Sequence, residues 1–369
     1  MAGDDGRTRL GDRAVEATRA VAKSRPVGRT RLGLGPVELI LKVVAKRRQL
    51  RAYFVCNVQS ALMAYRTGIL RLPLTLLVFV EELLMMNLYM RVVRWRSPEQ
   101  FVIHEVEGTQ LVLDLHDEGL SRDLYIYGVR EAETTRVFQA ELRRLRHEVD
   151  SPVVLEIGAN VGYFATMEAR LLGESARIHA IEPNPTNVTL LQQAVALNDY
   201  QDVITVSQGA IGDHDGTDVL DISNNSNLSR IHGAPKPDQH DIVDSLEVPM
   251  WTVAGFLADH DLPVDGVNVI RLDVEGYEVQ IFRELDAVLD SSGPLLLFME
   301  LHRNFLTPAE LAELTAQLER YDFRIVSAIG SGGVGWSGLG REMTTWDEIR
   351  TQRSVGPVRL IAKRDGGAR

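Results

Sequence analysis

The sequence predicts an α/β fold, a mainly parallel sheet with helices on both faces. Two observations carry that expectation. From Val153 onward, apolar strand candidates (VVLEIG, RIHAIEP, ITVSQGAIG, NVIRLDVEG, LLLFMELH, FRIVSAI and VRLIAKR) alternate with helical patterns near 166–172, 186–197, 277–288 and 308–319. Near-continuous apolar strands separated by helices belong to sheets buried on both faces. Acids and glycines also cluster where these strands end, and the carboxyl ends of such strands are where ligands bind.

Three zones precede this region in the chain of 369 residues. Residues 1–35 are polar, rich in Arg and Gly and without an apolar period, and are expected to be a disordered tail. Residues 36–100 read as a basic, apolar helical extension. Its uncharged stretch Leu72 to Val80 is nine residues long, against the roughly 20 that a spanning helix needs. The extension is expected to pack on the main domain or on a second copy in a homo-oligomer. The alternative is a peripheral membrane anchor, because Lys46, Arg47, Arg48, Arg51, Arg91, Arg94 and Arg96 flank its apolar part. Residues 101–148 read as a lead-in. Two strands surround a turn at Glu107-Gly108, and an amphipathic helix follows with Val137, Leu142 and Leu145 on one side. Residues 149–369 then form the main domain.

Composition narrows the functional classes. With 45% apolar and 25% charged residues, the chain carries enough apolar material for a full core. A single cysteine, Cys56, excludes an internal disulfide and a cysteine-built zinc site. The N-terminus lacks the apolar core of a signal peptide, so a cytoplasmic location is expected, or one on the inner face of the membrane. The net charge of -11 conceals a basic first hundred residues, with 18 Lys+Arg against 8 Asp+Glu. The remainder is strongly acidic and should repel a nucleic-acid backbone.

The loop after the first strand reads Glu156-Ile157-Gly158-Ala159-Asn160-Val161-Gly162. A dinucleotide fingerprint would be G-x-G-x-x-G. Here Asn160 replaces the second glycine and Tyr163 the third, while Gly158 and Gly162 still allow a sharp turn and close ligand approach. Glu156 at the strand end would repel a diphosphate. It suits a cationic ligand, such as the sulfonium and amino group of S-adenosylmethionine. These features count against an oxidoreductase using NAD.

Glu182 ends the next strand, 24 residues after Gly158, close to the spacing at which an acid meets ribose hydroxyls. Pro183 and Pro185 stiffen the turn around Asn184, which is read with Glu182 as part of the same ligand contact. After the third strand, Gly209, Ala210 and Ile211 fit a flat apolar edge for adenine or an ordinary turn. Asp273 and Glu275, two apart at a strand end, point to one face. Their repulsion would raise one pKa and suit it to remove a hydroxyl proton. Alternatively, Glu275 caps the following helix. Glu300 and His302 share a face in the same way, and His302 is a candidate general base. The set Asp273, Glu275, Glu300 and His302 is equally compatible with a divalent ion; base and ligand stay open, and no metal is assigned.

Taken together, VVLEIGANVGYF, AIEPNPTNVTLLQQAVALN, VSQGAIGDHDG, VPMWTVAGFL, VIRLDVEGYEVQIF and LLLFMELH resemble the FkbM family of S-adenosylmethionine-dependent O-methyltransferases. The likeness covers about Leu111 to Leu301. It implies a Rossmann-like seven-stranded methyltransferase sheet with its last strand antiparallel. It implies that Glu156, Gly158 and Asn160 meet the methionine end, Glu182 the ribose and Ala210 the adenine. Asp273 and Glu275 would face the transfer site. Tyr277 stands where the family often has a small residue. The expected activity is methyl transfer to an oxygen of a sugar or glycan, including a lipid-linked or cell-surface one. A small secondary metabolite is the alternative acceptor. A non-catalytic scaffold on the same core would be expected to have lost the ligand loop, which is intact here. Nucleic-acid methylation is disfavoured by the acidic charge and by the lack of an Asn-Pro-Pro-[Tyr/Phe] tetrapeptide.

Overall fold

A tight hairpin opens the part of the chain that leads to the sheet. In the computed structural model, strands β1 (Phe101–Val106) and β2 (Thr109–Asp114) pair antiparallel about Glu107 and Gly108. Both turn residues have positive φ, 49° and 85°, the type I′ geometry whose twist matches paired strands. The residues described are 91–93, 95, 99–117, 119–223, 229–232, 242–302, 305–330, 341–351 and 357–366. The expected tail at 1–35 and nearly all of the extension at 36–100 lie outside them. No helix among the described residues is long and apolar enough to cross a membrane.

Helices α1 (Leu120–Tyr127) and α2 (Ala132–Glu148) complete the lead-in. Helix α2 buries Thr134, Thr135, Phe138, Glu141, Leu142 and Leu145, the three-and-four spacing of one helix face. Val137, expected on that face, is only half-buried, and Phe138 takes the core position.

The main sheet follows in the predicted alternation. Its first half contains β3 (Val153–Ile157), α3 (Tyr163–Leu172), β4 (Arg177–Glu182), α4 (Pro185–Leu197) and β5 (Ile204–Gln208). An excursion not read from the sequence comes next: β6 (Ala210–Ile211), β7 (Gly216–Ser223), β8 (Arg230–Ile231) and β9 (Ile242–Trp251), then α5 (Val253–Asp259). The second half contains β10 (Val267–Leu272), α6 (Glu278–Glu284), α7 (Asp286–Leu289), β11 (Leu295–Leu301) and α8 (Pro308–Arg320). It ends with β12 (Arg324–Gly330), β13 (Arg341–Glu342), α9 (Trp346–Thr351) and β14 (Val358–Arg364). The helix expected over 277–288 is thus two short ones.

The strand order is β13-β12-β14-β11-β10-β3-β4-β5. Strand β14 runs antiparallel to both its neighbours, β11 and β12, while β11, β10, β3, β4 and β5 are mutually parallel. Apart from the two-residue edge strand β13, this is the seven-stranded sheet with an antiparallel last strand that the resemblance implied. Local chemistry starts the helices on its faces. Asn184 accepts from the Thr186 amide at the head of α4 with Pro185 in the first turn, and Thr307 and Glu310 form a capping box before α8.

The excursion forms a second sheet, ordered β6-β9-β7-β8. Its inner face carries a small core of Ala210, Leu220, Ile231, Val248 and Met250. Along β9, residues 242–247 alternate between half-buried and exposed, the pattern of a sheet with one solvated face.

The central strands of the main sheet supply two cores. Strand β3 sends Val153, Leu155 and Ile157 to one and Val154 to the other. The lead-in shares the second core: Leu111, Phe138 and Leu142 pack with Val154, Phe164 and Phe298, and the Phe138 and Phe298 rings lie 4.9 Å apart. Phe138→Ala should therefore destabilise the whole sheet by about 3–5 kcal/mol, the range for emptying a buried aromatic site. Urea unfolding followed by tryptophan fluorescence and far-UV dichroism should give one lowered, coincident transition. Two separate transitions, with the later one unmoved, would mean that the lead-in folds on its own core.

Candidate active site

The carboxyl ends of β3, β4 and β10 border a cavity of about 850 Å³, part of it open to solvent. Gly158, Asn160, Glu182, Ala210, Asp273 and Glu275 line it. Gly158 has φ +83°, and a Cβ there would stand 2.0 Å from the Asp273 carbonyl oxygen. Only glycine lets β3 turn this close to β10.

The loop is pinned to β4. Both the Gly158 and Ala159 amides donate to the Ile181 carbonyl at 3.0 Å, and the Asn160 amide donates to Glu182 Oε2 at 2.8 Å. Glu182 Oε1 also accepts from the Asn184 amide at 2.9 Å and from Asn187 Nδ2 at 3.2 Å. A carboxylate has about four acceptor sites, so these three donors leave capacity for a ligand hydroxyl. Burial pushes the Glu182 carboxyl up to about 7, against the pull of its donors.

Two residues assigned to the ligand do not reach the cavity. Asn184 is buried as the cap of α4. Gly162 is the cap of α3 with φ +89°, and a Cβ there would meet Leu191 Cδ1 at 2.4 Å. It is a packing glycine between α3 and α4.

Glu156 requires a larger correction. Strand alternation turns it away from the cavity wall, into the core under α3, where it is fully buried. It sits in register with Arg271 on β10, and Arg271 Nη1 donates to its Oε1 at 2.7 Å. Arg271 Nη2 reaches on to Asp273 Oδ2 at 3.1 Å, and its guanidinium lies 3.7 Å over the Phe164 ring. Glu168 of α3 is also fully buried, and neither its oxygens nor Glu156 Oε2 meets a donor from another group. Burial, reinforced by Glu156, holds the Glu168 carboxyl well above its ordinary value; burial raises Glu156 as well, against Arg271. A proton held between the two carboxyls accounts for both.

The acids at the other strand ends divide by environment. Burial opposes ionisation of Asp273, but Arg271, His302 and Arg130 outweigh it and hold the carboxyl below its ordinary value. Glu275 is raised by burial, with His302 opposing. Its backbone has φ +52°, a strained value for a non-glycine residue. It does not cap α6, whose N-terminus has no side-chain cap; the Gly276 amide donates instead to Glu278 Oε1 at 3.1 Å.

His302 is not a free base. Its Nδ1 lies 2.5 Å from Glu278 Oε1 and its Nε2 3.2 Å from Glu275 Oε2. Burial lowers its pKa, but Glu275 and Glu278 prevail and raise it well above the ordinary value. An imidazolium between two carboxylates has no lone pair with which to accept a proton. Asp273, Glu300 and His302 do bring one ligand-type atom each within 4.8 Å of one another. Cations already occupy that charge: Glu300 faces Arg359 at 3.4 Å and Arg130 at 4.0 Å, and Asp273 is held by Arg271. Burial, with Glu131 and Asp273, pushes Glu300 up to about 8. The donor set does not fit a divalent ion.

Three arginines escaped the sequence reading. Arg271 had a signal, a cation inside the apolar strand VNVIRL. Arg130 lines the cavity from the turn between α1 and α2, with Glu131 at 3.4 Å, Asp123 at 3.8 Å and Glu300 at 4.0 Å. Arg230 lines it from β8. Nothing local to either marks it as part of a site.

Residues 156–325 match the family described as Methyltransferase FkbM domain. Catechol O-methyltransferase from Sus scrofa is 49% identical over 61 residues, 16% of this chain and 33% of that enzyme. The Bos taurus enzyme is 41% identical over 70 residues, 19% of this chain and 26% of its own length. The matched segments thus span a third or less of those enzymes. Among solved structures, a SAM-dependent methyltransferase from Agrobacterium tumefaciens aligns with TM-score 0.39 and 10% identity, covering 73% of this chain and 72% of that one. TYW2 from M. jannaschii, in complex with AdoMet, aligns with TM-score 0.35 and 13% identity, covering 73% and 89%. Likenesses this distant do not bear on the chemistry.

The Arg271 pairing yields a test. Arg271→Met strands Glu156 in the core without its cation and should cost about 3–5 kcal/mol of stability. Adding Glu156→Gln should restore most of that loss. If urea midpoints of the single and double variants coincide, the pair is not what ties β3 to β10.

Proposed function

With residues 156–325 forming a methyltransferase FkbM domain, a family that uses S-adenosylmethionine, we propose that this chain transfers the methyl group to an oxygen of a sugar or glycan. The acceptor is free, lipid-linked or part of a cell-surface glycan, and its oxygen belongs to a hydroxyl or a carboxyl group. One observation carries the reading: the glycine loop, Glu182 and the Asp273–Glu275 pair line a single cavity. Oxygen as the acceptor atom is supported by a carboxylate base suited to a hydroxyl, and by the short stretches shared with catechol O-methyltransferases. The glycan follows from the resemblance of the six motifs.

Bound S-adenosylmethionine supplies a methyl group activated by a sulfonium centre. Gly158 allows the ligand against the backbone at the end of β3. Ionised Glu182 accepts from a ribose hydroxyl. Asp273, kept ionised by Arg271 and lying against Gly158, offers the negative charge that a sulfonium and an ammonium need, the part first expected of Glu156. Arg130, with carboxylate neighbours no closer than 3.4 Å, has guanidinium N–H groups to offer the ligand's own carboxylate.

Glu275 takes the proton of a hydroxyl acceptor. Its raised pKa makes it a better base than Asp273, and protonated His302 fixes one of its oxygens. Removal of that proton would leave the acceptor oxygen a lone pair for the in-line displacement that S-adenosylmethionine, held by Glu182, Asp273 and Arg130, would support.

Two outcomes are expected. Because the ribose donates to ionised Glu182, affinity for S-adenosylhomocysteine should rise with pH through about 7 and level off above it. Below 7 it should fall by up to roughly tenfold per pH unit, with a proton released on binding. The same shift makes the ligand-free fold lose stability as pH rises from the ordinary carboxyl range through 7, since the folded state binds that proton more tightly. Calorimetric titration between pH 6 and 8.5 checks this, and a flat profile in the wild type counts against the ribose role. For the base, Glu275→Gln should lower kcat on a hydroxyl acceptor by about 10²–10⁴, leaving S-adenosylhomocysteine affinity unchanged. An unchanged kcat would mean that the methylated oxygen arrives already ionised, as a carboxylate does.

A further inference from the structure

The wall contributed by the second sheet carries a cation that methyl transfer does not use. Arg230 lies on β8, in register with Asp221 of β7, and lines the cavity beside Ser229. It is half-buried, and its Nε is buried without a hydrogen-bond partner. Among the described residues, no side-chain hydrogen bond or ion pair to it is found. The other cavity arginines differ: Arg130 faces Asp123, Glu131 and Glu300, and Arg271 holds Glu156 and Asp273. Asp221, the strand neighbour of Arg230, instead meets His232 Nδ1 at 3.1 Å and accepts from Ser245 Oγ at 2.8 Å.

We propose that Arg230, together with Ser229, anchors an oxyanion carried by the acceptor, a carboxylate or a phosphate. This rests on the methyl-transfer reading above. A guanidinium fork matches both oxyanions, and a carboxylate or phosphate oxygen meets its N–H groups with charge-assisted bonds about twice as strong as those a neutral hydroxyl offers. Ser229 Oγ accepts from the Ser223 amide at 3.2 Å, which leaves its hydroxyl hydrogen to donate to the same anion. The position fits an acceptor. Strand β8 is the outermost of the second sheet, three strand spacings, roughly 14 Å, from β6. Ala210 on β6 stands at the edge assigned to adenine. Arg230 therefore joins the cavity wall from a strand well separated in the sheet from the one that carries Ala210.

The experiment uses the full chain saturated with S-adenosylhomocysteine. D-glucuronate, glucose 1-phosphate and D-glucose are titrated into wild type, Arg230→Gln and Arg230→Lys, and binding is read by saturation-transfer NMR. At least one charged sugar should bind wild type roughly tenfold or more tightly than glucose, the scale of one charge-assisted hydrogen bond. Preference for glucuronate identifies a carboxylate, and preference for glucose 1-phosphate a phosphate. Arg230→Gln should abolish the preference and Arg230→Lys keep part of it, which separates loss of charge from loss of fold. Equal binding of charged and neutral sugars, binding of none, or an unchanged preference in Arg230→Gln overturns the proposal.

Cofactor affinity supplies the second arm. Arg230→Gln should bind S-adenosylhomocysteine and 5′-methylthioadenosine as wild type does. If it loses only the former, Arg230 holds the cofactor's own carboxylate and the proposal fails. Failure of wild type to bind S-adenosylhomocysteine would sink the methyl-transfer reading, and the proposal with it.

Discussion

A guanidinium buried at the end of β10 touches nearly everything that shapes the cavity. Arg271 donates to Glu156 on β3 and to Asp273 beyond its own strand, and it lies flat on Phe164 of α3. The register of β10 on β3 sets Arg271 beside Glu156, and the register of β11 sets Phe298 on its other side. A charge this deep is costly unless paired. The pairing therefore ties strand register, the packing of α3 and the ionisation of Asp273 together. Moving β10 by one residue would turn Arg271 to the other face and leave two acids without their cation.

That arrangement sorts the acids by environment. Asp273, next to Arg271, is held ionised, while Glu275, next to the Glu278–His302 pair, is raised by burial. Glu182 is raised although three donors point at it, because burial outweighs them. One fixed negative charge and one available base, a few residues apart, are what a cationic methyl donor and a protonated acceptor call for. The charge set is balanced by arginines and an imidazolium, so the cluster needs no ion to hold it together.

The sequence was most informative where chemistry is local. The Glu107-Gly108 turn and the alternation of apolar strands with helices depend on neighbours in the chain, and each appears as expected. The second sheet was missed because β6 and β8 are two residues long and β9 is half-exposed, leaving little apolar run to read. Glu156 was misplaced for a different reason. An acid at the end of a central strand has two faces to choose from, and the sequence around it does not show that an arginine waits 115 residues later on the buried side.

Gly158, Asn160, Glu182, Ala210, Asp273 and Glu275 were therefore legible from sequence as one cavity, because residue types at successive strand ends converge once the sheet is parallel. The same pattern established the α/β class and, with the six motifs, the family resemblance. Only the tertiary structure decided that His302 is an imidazolium held by Glu275 and Glu278. It alone brought Arg130 from the lead-in and Arg230 from the second sheet to the cavity. Burial and long-range pairing set protonation and position, and both arise from contacts between segments far apart in the chain.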